Sequence, residues 1–332
     1  SAASDVYKRQ LKNSDMSVAS FLNSQHKTAF SFEVLPPMRG KSIDNIFSNI
    51  DRLMAFDPAY INITTHRTEV VYQPMDNGMY RCFSEIKRPG TVAIAAALKG
   101  RFGIPTVPHI ICGGYSRHEI EDELIDLSYL GINDILVLRG DRQKGENRFS
   151  AATDGHSHAD GLCRQVNDFN TGRMVDGTET TPLTTPFTYG VAGYPEKHEE
   201  AMNPETDMEH LKRKVEMGAQ YIVTQMFFDN KRYFEFVDRC REAGITVPII
   251  PGIKPLTTLA QATLLPKTFH IDIPEELAAE MLRCKTNDDV KALGVEWGTA
   301  QARELKEANV PSIHFYTINA TASVEKIAKK VY

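Results

Sequence analysis

The sequence predicts an α/β protein folded as a single-domain (β/α)8 barrel. Three observations carry that expectation. Along 332 residues, about eight short runs rich in apolar and β-branched residues alternate with helical patterns. The fourth run, Ile135 to Leu138, is apolar without a break, as expected of a strand covered on both faces of a parallel sheet. No Gly-x-Gly-x-x-Gly or Walker-type sequence occurs, so neither a dinucleotide fingerprint nor a P-loop is visible. A doubly wound sheet is the alternative, but it usually has fewer strands and shows its glycine-rich turn early.

Taken in order, Thr28–Val34 reads as a strand closed by Pro36-Pro37. Ser42–Phe56 places Ile43, Ile46, Phe47, Ile50, Leu53 and Met54 at helical spacing. Ala59–Thr65 is a second, β-branched strand. Thr91–Phe102 is an alanine-rich helix, Thr106–Ile111 the third strand, and Ser116–Leu130 an acidic amphipathic helix with Gly131 at its C-cap. Asn133–Leu138, Phe187–Tyr194, Tyr221–Phe228, Val247–Ile253 and Ile313–Ile318 complete the strands. Met208–Met217, Arg232–Ala243, Thr258–Leu265, Pro274–Arg283, Asp288–Ala308 and Ala322–Val331 read as helices.

Two segments depart from this rhythm. Residues 1–20 read as a disordered or artefactual N-terminal extension and lead-in, since Ser1–Gln10 fits no pattern that follows. The barrel is expected over 21–332, with a long connection at 142–186. Asn170–Pro186 is Thr-, Gly- and Pro-rich and reads as a surface loop or partly disordered excursion. His156 and His158 in that connection have metal-ligand chemistry, but no Cys or carboxylate joins them at ligand spacing. They read as polar loop histidines, and no metal site is expected.

Composition narrows the function. A net charge of −5 provides no basic field for nucleic acid or an anionic membrane surface. No apolar run approaches the ~18 residues of a membrane span. Ser1–Asn13 lacks the apolar centre of a secretory signal. The five cysteines are odd in number, scattered and free of Cys-x-x-Cys. Neither a disulfide framework nor structural zinc is expected, and a reducing cytoplasm is the simplest location.

Candidate chemistry sits at the strand ends. Arg139-Gly140-Asp141 stops the fourth strand where parallel α/β folds bind ligands; the bland alternative is a strand end whose Arg and Asp pair. Glu33 lies between Phe32 and Val34. Burial there favours the protonated form and suits a general acid; the alternative is a salt-bridged barrel Glu. His109 is a lone strand histidine, a type more often packed in a core than used as a ligand or base. Tyr194, Pro195, Glu196 and His198 follow the fifth strand. Lys212-Arg213-Lys214 suits a diphosphate or is simply a solvated basic face. Gln225 interrupts an apolar strand, either as a partner for a polar heterocycle or as a buried structural amide.

In order and spacing, Ser31-Phe32-Glu33-Val34-Leu35-Pro36-Pro37, Pro108-His109, Leu138-Arg139-Gly140-Asp141, Ala192-Gly193-Tyr194-Pro195-Glu196-Lys197-His198, Leu211-Lys212-Arg213-Lys214-Val215, Thr224-Gln225, Ile250-Pro251-Gly252-Ile253 and His314-Phe315-Tyr316-Thr317 resemble the bacterial methylenetetrahydrofolate reductases. The match runs from about Phe21 to the C-terminus. The resemblance implies a (β/α)8 barrel that holds FAD without a Rossmann domain, uses NADH or NADPH as co-substrate and takes a folate. It implies that Glu33 is the general acid and that Asp141 is the carboxylate beside flavin and folate. Thr64, Thr65, Arg67, His109, Leu138, Arg139, Gly140, His158, Ala159, Tyr194, His198, Ala201, Asp207, His210, Arg213 and Lys214 fall on FAD-holding positions. Gln225 and Gln261 fall on folate-contacting ones, Gln225 also on one that touches the nicotinamide.

The implied reaction is a ping-pong reduction of 5,10-methylenetetrahydrofolate to 5-methyltetrahydrofolate, supplying methyl groups for methionine synthesis. Protonation at N10 is assigned to Glu33. A homo-oligomer is expected. Departures from the family pattern are Thr65 for Tyr, His210 for Asn, Leu265 for an aromatic that stacks on substrate, and Ala320 for an Arg that helps bind folate. The chain ends with the barrel, so the C-terminal regulatory domain of the eukaryotic enzymes, and inhibition by S-adenosylmethionine, are not expected. Two rival readings are a flavin-free pterin-binding barrel methyltransferase, and an FAD-binding subunit without folate turnover.

Overall fold

The alternation Phe30-Ser31-Phe32-Glu33-Val34 shows how the barrel is built. In β1 (Ala29–Val34), the even positions Phe30, Phe32 and Val34 join the apolar layer under the helices, while Ser31 and Glu33 face the barrel interior. The computed structural model describes residues 16–142 and 146–332. Seven more parallel strands close the ring: β2 (Tyr60–Ile63), β5 (Thr106–Ile111), β6 (Asp134–Leu138), β7 (Thr188–Gly193), β8 (Tyr221–Met226), β9 (Ile249–Ile253) and β10 (Ser312–Tyr316). Around the barrel they run β1-β10-β9-β8-β7-β6-β5-β2, with β2 returning to β1. The (β/α)8 expectation therefore holds.

The interior is polar at mid-height. Ser31 Oγ lies 3.1 Å from His314 Nδ1 and 3.2 Å from Ser312 Oγ, and Asn62 Nδ2 lies 3.2 Å from His109 Nε2. All five side chains are buried, and these contacts stand in for water at each of them, although Asn62 Oδ1 itself has no hydrogen-bond partner.

The outer helices are α2 (Asp44–Leu53), α3 (Thr91–Phe102), α4 (Arg117–Tyr129), α5 (Ala159–Asn170), α6 (Pro204–Glu216), α7 (Asn230–Glu242), α8 (Gln261–Phe269), α9 (Glu275–Arg283), α10 (Asn287–Glu307) and α11 (Thr321–Val331). Their starts follow capping chemistry: Ser116 with Glu119 and Thr286 with Asp289 form reciprocal capping boxes. Helix α8 begins three residues later than expected, because the Gln261 side chain accepts the backbone N–H groups of Thr257 and Thr258 and organises a turn ahead of it.

Three features differ from the sequence reading. The expected extension lies outside the described residues up to 15, but α1 (Val18–Ser24) is helical. Val18, Ala19 and Leu22 pack with Tyr60, Val107, Leu136 and Tyr221, closing the barrel end opposite the strand C-termini. Ser17 caps this helix, and Asp134 accepts the Val18 N–H at 3.0 Å. Second, the 142–186 connection contains α5, which buries Leu162, Cys163, Val166 and Phe169. His156 there hydrogen-bonds Gln165, 2.6 Å away. Third, a two-stranded antiparallel ribbon, β3 (Glu69–Pro74) and β4 (Tyr80–Glu85), leaves the barrel after β2. Val70, Tyr72, Tyr80 and Cys82 share its exposed face.

Among the described residues no helix is long and apolar enough to cross a membrane, and no group of three or more His, Cys, Asp or Glu side chains is placed to hold a metal ion.

Because α1 fills the barrel end, Leu22→Ala is expected to lower unfolding free energy by about 2–5 kcal/mol. Urea denaturation checks this, and a loss below about 0.5 kcal/mol would mean that α1 only drapes over the surface.

Candidate active site

The C-terminal ends of the strands open into a cavity of about 610 Å³. That volume lies within the range of small-molecule sites. Its walls mix flat apolar surface from Ile111, Leu136, Leu138, Ala192 and Val223 with titratable groups.

Glu33 projects into this cavity from the end of β1 and is 5% exposed. Loss of water raises its pKa to about 7, partly offset by the positive charge of Lys254. Thr317 Oγ1 donates to the Glu33 carbonyl and so ties the strand end to the loop after β10.

Asp141 enters from the loop after β6. Its pKa is also raised, first by burial and then by Glu199, against the opposing pull of His66 and Arg139. Gly140 before it has φ +82°, and a Cβ there would meet Ile111 at 3.4 Å. Glycine therefore lets the chain turn and set Asp141 over the cavity. Arg139 pairs with Glu200 and Glu199, and its guanidinium lies 4.8 Å from the Phe149 ring centroid. The alternative Arg139–Asp141 pairing is not among the ion pairs of the described residues.

The second wall comes from β2 and β5. Thr64, Thr65 and Arg67 follow β2, and Thr65 Oγ1 donates to the His109 carbonyl. Burial drives the His109 pKa down to about 3. The ring is thus neutral, and its Nε2 accepts from the Asn62 amide. Tyr194 and His198 stand edge to face with centroids 4.7 Å apart, and the Asp207 carboxylate accepts the His198 N–H. Gln225 lines the cavity, with its Oε1 accepting the Met226 N–H.

The remaining predicted residues lie elsewhere. Lys214 sits in a small separate pocket with Asp207, donates to the Ala192 carbonyl at 2.9 Å, and has its pKa lowered by burial. On the same helix Lys212 and His210 are exposed, while Arg213 is half-exposed and 3.6 Å from Asp160. His158 and Ala159 form the start of α5, and Ala201 is buried in the loop before α6. Gln261 caps its own turn and does not line the cavity. Leu265 is packed among Met226, Phe228, Leu256 and Ile271, and Ala320 is buried at the N-cap of α11.

The sequence reading missed several cavity residues. His66, Lys254, His270, His314 and Tyr316 all line it. The signal for Lys254 was its place directly after Pro251-Gly252-Ile253, at a strand end. Three nitrogens in or beside the cavity, His66 Nε2, Arg67 Nε and Arg139 Nε, are buried with no hydrogen-bond partner. Such donors suit a polar ligand.

A family model described as methylenetetrahydrofolate reductase matches residues 18–332. A Salmonella typhimurium protein named 5,10-methylenetetrahydrofolate reductase is 31% identical over 291 residues, covering 87% of this chain and 86% of that one. A rice protein named probable methylenetetrahydrofolate reductase (NADH) is 30% identical over 307 residues, covering 90% of this chain. The chain spans about half the length of the plant relatives it matches, 47% in the rice case. Among solved structures, an uncharacterized Clostridium thermocellum protein, described as binding two copies of 5-methyl-5,6,7,8-tetrahydrofolic acid, shares the fold. Its TM-score is 0.55 at 15% identity, over 94% of this chain and 96% of that one. The chain belongs to the methylenetetrahydrofolate reductase family.

Proposed function

We propose that this protein reduces 5,10-methylenetetrahydrofolate to 5-methyltetrahydrofolate with NADH or NADPH, using FAD as its resident cofactor. The observation that carries this reading is Glu33: a water-deprived carboxylate with a pKa near 7, in a cavity that the carboxylate of Asp141 also lines. Two carboxyl groups in one cavity suit a substrate that must be both protonated and held by its ring N–H groups.

The residues present fit a flavin dinucleotide. The apolar wall from Ile111, Leu136, Leu138 and Ala192 suits a flat ring system, and the unpartnered nitrogens of His66, Arg67 and Arg139 suit its polar edge. Lys214 is half-buried beside the cavity wall at Ala192 and supplies a cation for the diphosphate. When bound, FAD supplies the hydride chemistry, accepting from the nicotinamide and giving to the folate.

The chain's own part is proton control and orientation. Protonated Glu33 donates to N10 of the folate and opens the five-membered ring toward the N5 iminium. Asp141 accepts hydrogen bonds from the pterin amino group and ring N–H. The Gln225 amide offers a neutral partner at the same wall. Neutral His109 keeps an uncharged surface beneath the ligand. Methyl supply for methionine synthesis, and assembly as a homo-oligomer, belong to the same proposal.

Glu33→Gln is expected to retain FAD and NADH-driven flavin reduction, while the folate half-reaction falls by roughly 10²–10⁴. In the unaltered protein the proton donor is the acid form, so that half-reaction should weaken as pH rises through about 7. The Gln variant should lack that limb. Stopped-flow reoxidation of reduced enzyme by methylenetetrahydrofolate reads both, and near-normal folate reduction in the variant would remove Glu33 from its role. It also separates this reading from an FAD-binding subunit without folate turnover, which would not reoxidise.

Lys214→Ala should weaken FAD binding by about 10- to 100-fold, the worth of a charge-assisted hydrogen bond, whereas exposed Lys212→Ala should leave it unchanged. Flavin content after gel filtration measures the difference. Equal retention in the two variants would make the basic cluster a solvated face.

A further inference from the structure

Three neighbouring strands bring polar groups to one level at the cavity. The register sets Glu33 opposite Tyr316 on β10, and Phe315 opposite Ile253 on β9. Tyr316 is therefore level with Lys254, the residue after β9. Residues at one level on adjacent parallel strands face the same way. Glu33, Tyr316 and Lys254 do so here, and all three line the cavity. Two inter-strand steps separate Glu33 from Lys254, about 10 Å between backbones, which the two side chains shorten.

The ammonium of Lys254 is held in place: Nζ donates to the Ile318 carbonyl at 3.2 Å, in the loop after β10. The other groups around Glu33 carry no positive charge. Asn62 and Thr64 on the β2 side are neutral. Burial holds the Tyr316 phenol protonated, and its O–H donates to the Thr224 carbonyl at 2.6 Å. Thr317 binds the Glu33 backbone, and burial keeps His109 and His314 neutral. Lys254 is the cation that faces Glu33 among the described residues.

We infer that Lys254 is a positioning residue whose charge sets the pH range over which Glu33 holds and delivers its proton. The inference rests on the general-acid role proposed for Glu33. Its physical basis is reciprocal. Burial alone pushes the carboxyl up and the ammonium down, and each charge opposes the other's shift. Removing the cation leaves only the upward push on Glu33. The acid form then persists to higher pH.

The test compares pH profiles of the folate half-reaction at saturating folate. Lys254→Met should move the midpoint of the fall upward by about one pH unit, and Lys254→Arg should restore it. NADH-driven flavin reduction, measured on the same samples, serves as the control and should keep its own midpoint. If the Met variant does not hold the fold, Lys254→Gln, which keeps a donor toward Ile318, gives the same comparison. A midpoint that stays in place or moves down in the uncharged variants overturns the inference. If the limb vanishes in Glu33→Gln yet stays put in Lys254→Met, only the role of Lys254 fails. If Glu33→Gln keeps the limb, the general-acid reading itself fails.

Discussion

The structure turns on the removal of water from one carboxylate. Glu33 lies inside a closed ring of eight strands, and its strand neighbours Phe32 and Val34 point outward into the helical layer. A carboxyl group so placed cannot ionise as readily as one in water. Removing that water requires a continuous barrel, because a gap beside β1 would let solvent reach the side chain. Both flanks of β1 are paired, to β10 and to β2. The polar layer beneath is paired within itself, Ser31 with His314 and the Asn62 amide nitrogen with His109.

The cavity rim is stabilised differently, by charge pairs between loops. Glu199, in the loop after β7, lies 2.7 Å from His270 at the end of α8 and within 4.0 Å of both Arg139 and Arg142 after β6. One carboxylate thus links three loops that share no backbone pairing. These pairs are partly exposed, so each adds little to stability. Their effect is on loop placement. His270 adopts a left-handed conformation, φ 53°, at the end of α8, which directs its ring back toward the rim.

What was legible in the sequence was whatever local pattern determines. The period-2 alternation around Glu33, the apolar run before Arg139 and the helical spacing in Ser42–Phe56 each follow from neighbours within a few residues. The strand-end positions of Glu33, Arg139, Gly140 and Asp141 followed from the same reading. Helix α5 was hidden because its apolar stripe, Leu162 to Phe169, is short and follows a polar connection. The ribbon was missed although Asn77-Gly78 marks its turn, since Val70-Val71-Tyr72 buries too little to announce a strand. Lys254 has its electrostatic partner more than two hundred residues away in the chain, a relation no local pattern carries. Gln261 and Leu265 illustrate the converse. The family resemblance sets both at ligand-contacting positions, whereas the Gln261 side chain caps a turn and Leu265 fills a core.

The helix α1 that stops the far end of the barrel also gives the cavity a floor. With Val18, Ala19 and Leu22 seated against Tyr60 and Tyr221, the described residues make the cavity a well with its floor at α1 and its opening at the strand C-termini. In a well of this kind, whatever lies on the floor cannot leave while something lies above it. A group seated at the floor of such a well is retained by geometry as well as by affinity.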